Sequence, residues 1–260
     1  MTRYAAGIEY AGSAFSGWQA LSERRTAQSE LERALAKIAD HPLRVTAAGR
    51  TDAGVHALQQ VVHFDTAAQR SDYAWLLGTN SLLDRDINLR WIQPVAAHFH
   101  ARYAATERAY RYVIYNHRAR SALLDNRAGW WPQPLDAASM QAAAQALVGE
   151  HDFSSFRDSQ CQSKTATRRL HRLDVHRRGE FVVLDICGNA FLHHMVRNIT
   201  GTLVEVGLGR QSPDWVAALL AARDRRKAGM TAAAGGLYFV GPQYPAEFAL
   251  PAPPAPWFPA

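Results

Sequence analysis

AAGRTDAGVHALQQVVHFD, residues 47–65, sets one aspartate between an Arg-Thr pair and an Ala-Gly pair, just ahead of a run that reads as a strand. Gly54 can supply a positive φ and Asp52 can bond back to its own backbone. The stretch therefore reads first as a turn between two strands, LRVTAA (43–48) and QQVVHFD (59–65). The letters exclude two other turn chemistries. There is no Gly-Lys-Ser/Thr ending of a phosphate loop, and no three-glycine spacing of a dinucleotide turn. On the residues alone, Asp52 is a turn-former or a reacting carboxylate, and Arg50 a solvated side chain or its companion.

Outward from this turn the first half has a regular order. RYAAGIEY (3–10) alternates as a strand, and TAQSELERALAKIAD (26–40) spaces Leu31, Ala34, Leu35 and Ile38 as one face of a helix. SDYAWLLGTNSLL (71–83) reads as a helix capped near Ser71, and INLRWIQPV (87–95) as a strand. The order is β-α-β-β-α-β. In the second half ATERAYRYVIYN (105–116) is a strand, DAASMQAAAQALVG (136–149) a helix, and RRLHRLDVHR (168–177) with EFVVLDICG (180–188) a hairpin around an Arg-Gly turn. FLHHMVRNITGTLVEVG (191–207) is expected to be helical throughout, and GLYFVGPQY (236–244) closes as a strand. SPDWVAALLAARD (212–224) adds a helix capped by Ser212 with Pro213 at its first position.

The same β-α-β-β-α-β order thus occurs twice, and the expected fold is α/β (α+β). Two related units share a long mixed, mainly antiparallel sheet, with helices on one face and a basic cleft between the units. The expected boundaries are 1–105, 106–249, and a Pro-rich tail at 250–260 whose Trp257 and Phe258 dock back on the body.

Composition narrows the function class. No apolar run approaches the roughly 20 residues of a membrane span, and the N-terminus has no signal-peptide core, so a cytoplasmic protein is expected. Cys161 and Cys187 are too few for a disulfide framework or a Cys-based zinc site. The net charge of +6 is carried by 26 Arg against 3 Lys. Arginine suits phosphate and stacks on bases, which makes a polyanionic partner plausible, although codon bias toward Arg would give the same count. The excess lies mostly in the second half, where 18 basic groups face 13 acidic ones, against 11 and 10 in residues 1–105.

Other residues carry weaker signals. His98 and His100, two apart, could share a strand face, and His63 is a further histidine, but no carboxylate stands at a ligand spacing beside them. On a helix, adjacent His193 and His194 would point about 100° apart, which does not favour a shared ion. Tyr110, Tyr112 and Tyr115 are as readily sheet packing as a stacking platform. Arg197 stands among Met195, Val196 and Ile199, and a buried arginine requires an anionic partner.

Taken together, these segments resemble the tRNA pseudouridine synthase A family. GRTDAGVHALQQVVHF (49–64) is similar to its active-site segment. GIEYAGSAFSGWQ (7–19), AHFHARYAATERAYRYVIYN (97–116), GEHDFSSFR (149–157), NAFLHHMVRNITGTLVEVG (189–207) and GLYFVG (236–241) follow in the family's order. The likeness spans nearly all of residues 3–250. It departs at Ala11, Leu21, Ala27 and Phe239, where the family more often has Asp, Gln, Val and Leu.

The resemblance implies a cofactor-free, metal-free enzyme that converts uridine to pseudouridine at positions 38–40 in the anticodon arm of tRNA. It also implies a homodimer of paired α/β units around a basic cleft. By position, Asp52 matches the catalytic aspartate, Arg50 the arginine that helps displace the target nucleotide, Tyr110 the base-stacking tyrosine, and Arg197 the arginine that pairs with the aspartate. A carboxylate fits this chemistry, because breaking the N1–C1′ bond leaves positive charge or a proton to be managed at the sugar. Two rivals are a non-catalytic RNA-binding module, which gives no reason for a carboxylate in a phosphate-binding cleft, and a metal-dependent nucleotide hydrolase built on the histidines.

Overall fold

The computed structural model describes residues 1–255; Trp257 and Phe258, expected to dock on the body, lie outside the described residues. The first 106 residues form β1 (Thr2–Tyr10), α1 (Ala27–Ala39), β2 (Thr46–Ala47), β3 (His56–Thr66), α2 (Thr79–Leu82) and β4 (Ile87–Pro94). Next come β5 (Glu107–Asn116), β6 (Gly129–Trp131), α3 (Ala137–Ala144), β7 (Gly149–Asp152), β8 (Thr167–Arg178), β9 (Phe181–Gly188), α4 (Met195–Gly207) and α5 (Trp215–Ala222). β10 (Leu237–Gln243) is the last strand of the described residues. The fold is mixed α/β, in two compact units. One comprises Met1–Thr106 with Tyr238–Ala255, the other Glu107–Leu237.

In the first unit the strands run β4-β1-β3-β10, with β2 along β3. β1 is antiparallel to β3 and β4, and β10 is parallel to β3, pairing Tyr238 with His56. Chain order assigns residues up to 249 to the second half, whereas residues 238–255 pack with the first. A parallel neighbour cannot come from a hairpin, so a distant segment has to supply it.

β3 decides this unit's layering, because every residue in it except Asp65 is buried. Its polar residues are therefore bonded rather than solvated. Gln60 Nε2 donates to the Gly49 carbonyl at 2.7 Å, Gln59 accepts from Trp91 Nε1 at 3.1 Å, and His63 Nδ1 accepts from the Ala101 N–H at 3.1 Å. One face packs Tyr4, Phe64 and Trp75 ring to ring. The other packs Ala5, Ala48 and Val61 against Phe99 and Phe248. α1 buries Leu31, Ala34 and Leu35 as its spacing implies. It starts on a reciprocal cap between Thr26 and Ser29 and ends at Asp40 in the left-handed region. The helix expected over 71–83 begins at Ser71, whose hydroxyl accepts from Ala74 N, and passes through a wider π turn at Ala74–Gly78 before α2.

In the second unit the order is β5-β9-β8-β7, with β6 on β5. Tyr112, Ile114, Val182, Leu184 and Ile186 are each at most 2% exposed, as are Ile199 and Leu203 of α4. β6 and β7 were not expected, being only three and four residues long. Two helix starts are corrected. α4 begins at Met195, because His193 and His194 lie in a turn, so the 100° helical argument does not apply to them. α5 begins at Trp215, and Ser212 acts through its carbonyl, which accepts from Trp215 N at 3.1 Å, rather than through a side-chain cap.

His98 and His100 also lie in a turn rather than on a strand. His98 packs on Phe248, while His100 sits between His63 and Tyr103. Burial first, then His100 and Arg3, push the His63 pKa down to about 4. The unfolded chain therefore takes up this proton first as pH falls, so stability is lost from the ordinary His value of 6.5 down toward 4. Between pH 7 and pH 5 the loss should be about 2 kcal/mol. Urea unfolding of wild type and His63→Asn at both pH values checks this. Asn can still accept from Ala101 N but does not titrate, so its pH dependence should be smaller by that amount.

Candidate active site

The loop between β2 and β3 is fixed almost entirely through its backbone. Ala48 N donates to the Val61 carbonyl at 2.8 Å, the Gly49 carbonyl is held by Gln60, and the Thr51 carbonyl accepts from Trp18 N at 3.0 Å. The Asp52 carbonyl accepts from Val55 N at 3.2 Å, closing a turn in which Gly54 has φ +83. The Asp52 carboxylate is thus carried at the apex of a turn whose backbone bonds are made elsewhere, and its side chain is half-buried. Arg50 is on the same loop and exposed.

A second segment, residues 11–18, lies directly against this loop. A Cβ on Gly12 would overlap the Val55 carbonyl, and one on Gly17 would stand 3.0 Å from the Thr51 carbonyl and 3.3 Å from Asp52 C. Gly17 also has φ +93. Gly12 N donates to His56 Nδ1 at 3.1 Å, and the Tyr10 hydroxyl bonds Thr51 Oγ1 at 2.7 Å. Burial raises the Tyr10 phenol pKa, so this hydroxyl stays protonated beside Thr51. Arg25 secures the far end of the segment. It binds Asp84 and Asp86, donates to the Ala14 carbonyl, and lies 4.6 Å over the Phe15 ring.

The second unit carries the other two expected residues. Tyr110 on β5 is half-buried, opposite Ile186 of β9, with its ring edge-to-face on Phe191 at 5.0 Å. Tyr112, one same-face step along, is fully buried and donates its hydroxyl to the Ala233 carbonyl at 2.9 Å, so that tyrosine is packing. Burial raises the Tyr112 phenol pKa, and the Arg197 charge opposes it.

Arg197, half-buried in the first turn of α4, donates Nε to the Ala232 carbonyl at 2.8 Å and accepts Ala232 N on its own carbonyl at 3.1 Å. Residues 225–232 are tied to α4 by Asn198, which accepts from Thr231 Oγ1 and Arg225 and donates to the Phe156 carbonyl. A Cβ on Gly201 would overlap the Met230 carbonyl.

Asp52 and Arg50 thus share one loop of the first unit, while Tyr110 on β5 and Arg197 on α4 both belong to the second. Sequence reasoning missed the supporting set of Tyr10, Gly12, Gly17, Thr51 and Phe191. Only the glycines of AGSAFSGWQ gave a signal, and they read as an ordinary turn.

A family model described as tRNA pseudouridine synthase matches residues 6–104 and 143–245. The tRNA pseudouridine synthase A of Cronobacter sakazakii is 55% identical over 254 residues, 98% of this chain and 94% of that one. That of Methylococcus capsulatus is 55% identical over 95% of this chain and 92% of its own. That of Aeromonas salmonicida is 57% identical over 96% and 93%.

The backbone contact gives a direct test. Gly17→Ala should lower stability by about 1–3 kcal/mol through crowding and its positive φ. Gly49→Ala, with nothing within 4 Å of its Cβ position, should be close to neutral. Urea unfolding of both variants makes the comparison; equal losses would show that the contact does not hold the loop.

Proposed function

The chain belongs to the tRNA pseudouridine synthase family, and on that premise we propose that Asp52 is its reacting group and positions 38–40 of the anticodon arm its target. The enzyme is an isomerase that converts uridine in tRNA to pseudouridine. The observation that carries the site assignment is the loop itself: its backbone is secured by Gly12, Gly17, Thr51 and Gln60, and it leaves one carboxylate at its apex.

The reaction breaks N1–C1′, turns the uracil and rejoins it through C5. An ionised Asp52 beside C1′ serves this by attacking C1′ or by taking the 2′-proton. A deuterium at C2′ separates the two, since only proton abstraction gives a primary isotope effect. A base stacked in an RNA stem is out of reach, and extruding it costs a few kcal/mol. Arg50, exposed two residues from Asp52, fills the vacated space. Tyr110 offers a ring face to the extruded uracil, and Arg197 binds the same nucleotide through its guanidinium. The edge-to-face Phe191 supports the Tyr110 ring, and Ala232 fixes one side of Arg197.

We infer a homodimer, as the resemblance implies, which sedimentation at micromolar concentration tests. Among the described residues no helix is long and apolar enough to cross a membrane.

Asp52→Asn should abolish pseudouridine formation while tRNA affinity stays within about tenfold, because phosphate contacts dominate binding. Pseudouridine mapping and gel shifts across a salt series check both parts, and tRNAs with uridine placed singly at 38, 39 or 40 check the target. Turnover on a pre-folded anticodon arm should also survive chelator treatment of the enzyme. Loss of activity restored only by zinc would favour the metal-dependent reading.

A further inference from the structure

α4 starts in an unusual way. His194, the residue before its first turn, has φ +59 and ψ 4, a left-handed conformation that residues with a Cβ seldom adopt, and it makes no side-chain cap. Asp158 holds it there. Asp158 Oδ2 is 2.8 Å from His194 Nδ1, Oδ1 is 3.3 Å from His193 Nδ1, and Asp158 N donates to the His193 carbonyl at 3.2 Å. The two imidazoles stack on each other at 3.9 Å with 27° between their planes. Burial acts to raise the Asp158 pKa, but the Gln160 N–H and both imidazoles outweigh it, so the carboxylate is held below its usual value.

The His194 carbonyl then accepts from Asn198 N at 2.9 Å, the first helical bond of α4. Arg197 is the third residue of that turn. Its Cα position and the direction of its side chain follow from where the turn begins. A glycine at 194 would reach the left-handed region without penalty, but it would remove the side chain that binds the carboxylate. Strain kept at such a point, when a strain-free residue exists, indicates that geometry is being retained for a use.

Resting on the reading of Arg197 as a substrate-binding residue, we propose that Asp158, His193 and His194 form a positioning clamp. They hold the left-handed start of α4 and so fix where Arg197 presents its guanidinium to the substrate.

The test uses His194→Gly, His194→Asn, Arg197→Met and the double variant His194→Gly/Arg197→Met, with kcat, KM for tRNA and urea unfolding measured for each. His194→Gly should still fold, since relief of its backbone strain offsets part of what losing the Asp158 contact and adding chain entropy cost. Its kcat should fall about tenfold with KM within about twofold, because a displaced binding group costs most in the transition state. His194→Asn, which tolerates the left-handed region and can donate to Asp158, should recover part of the rate. In the Arg197→Met background, His194→Gly should add no further loss. A His194→Gly kcat within twofold of wild type, or losses that multiply in the double variant, would overturn the clamp alone, provided Arg197→Met is itself impaired. An Arg197→Met enzyme with wild-type turnover would instead overturn the reading of Arg197 on which the clamp rests.

Discussion

The backbone of residues 12–17 meets the backbone of residues 51–55 with no side chain between them, and the placement of Asp52 depends on that contact. Peptide groups this close fix each other more tightly than side chains could, because no rotamer has to be frozen to make the bonds. The contact is possible because Gly12 and Gly17 have no Cβ and Gly17 takes a φ closed to most residues. Everything else in the first unit supports one side or the other. Arg25 and the Thr26 cap anchor the outer segment, while β3, buried along nearly its whole length, anchors the inner one.

The second unit solves the same problem with a helix. α4 carries Arg197, and the chain around Met230 crosses it closely, because a Cβ on Gly201 would strike the Met230 carbonyl and one on Gly229 the Gly201 carbonyl. Asn198, one residue from Arg197 and fully buried, binds Phe156, Arg225 and Thr231. A satisfied buried amide of this kind rigidifies its surroundings, and an unsatisfied one would cost more than the bonds gain. The result is a guanidinium whose Nε and backbone are both fixed to Ala232.

The arginine excess divides between structure and surface. Arg3 forks onto Asp65 and reaches the Ala97 and Phe99 carbonyls, Arg111 forks onto Asp185 at 2.8 Å, and Arg225 binds Asn198 and the Gly229 carbonyl. These use the planar fork as a structural brace that a lysine could not copy. Arg24, Arg50, Arg118 and Arg120 are exposed. Composition therefore overstates the charge available to a polyanion, since a count cannot distinguish a bracing guanidinium from a solvated one.

What the sequence determined by itself were the features set by local periodicity and local turn chemistry. The alternation of RYAAGIEY, the helical spacing of Leu31, Ala34 and Leu35, and the glycine turn around Asp52 each follow from residues a few positions apart, and the doubled element order follows from them. The resemblance of residues 49–64 to a known active site pointed to Asp52 for the same reason, because the motif is contiguous. What only the tertiary structure decided involves residues far apart in the chain. The return of β10 to β3, the burial of Gln59, Gln60 and His63, the pairing of Tyr10 with Thr51, and the turn at His193–His194 that delays α4 all depend on long-range neighbours. A hydrogen bond across 41 residues, as between Tyr10 and Thr51, leaves no periodic trace in either segment. Its partners are selected by the packing that brings them together, and that packing exists only once the chain has folded.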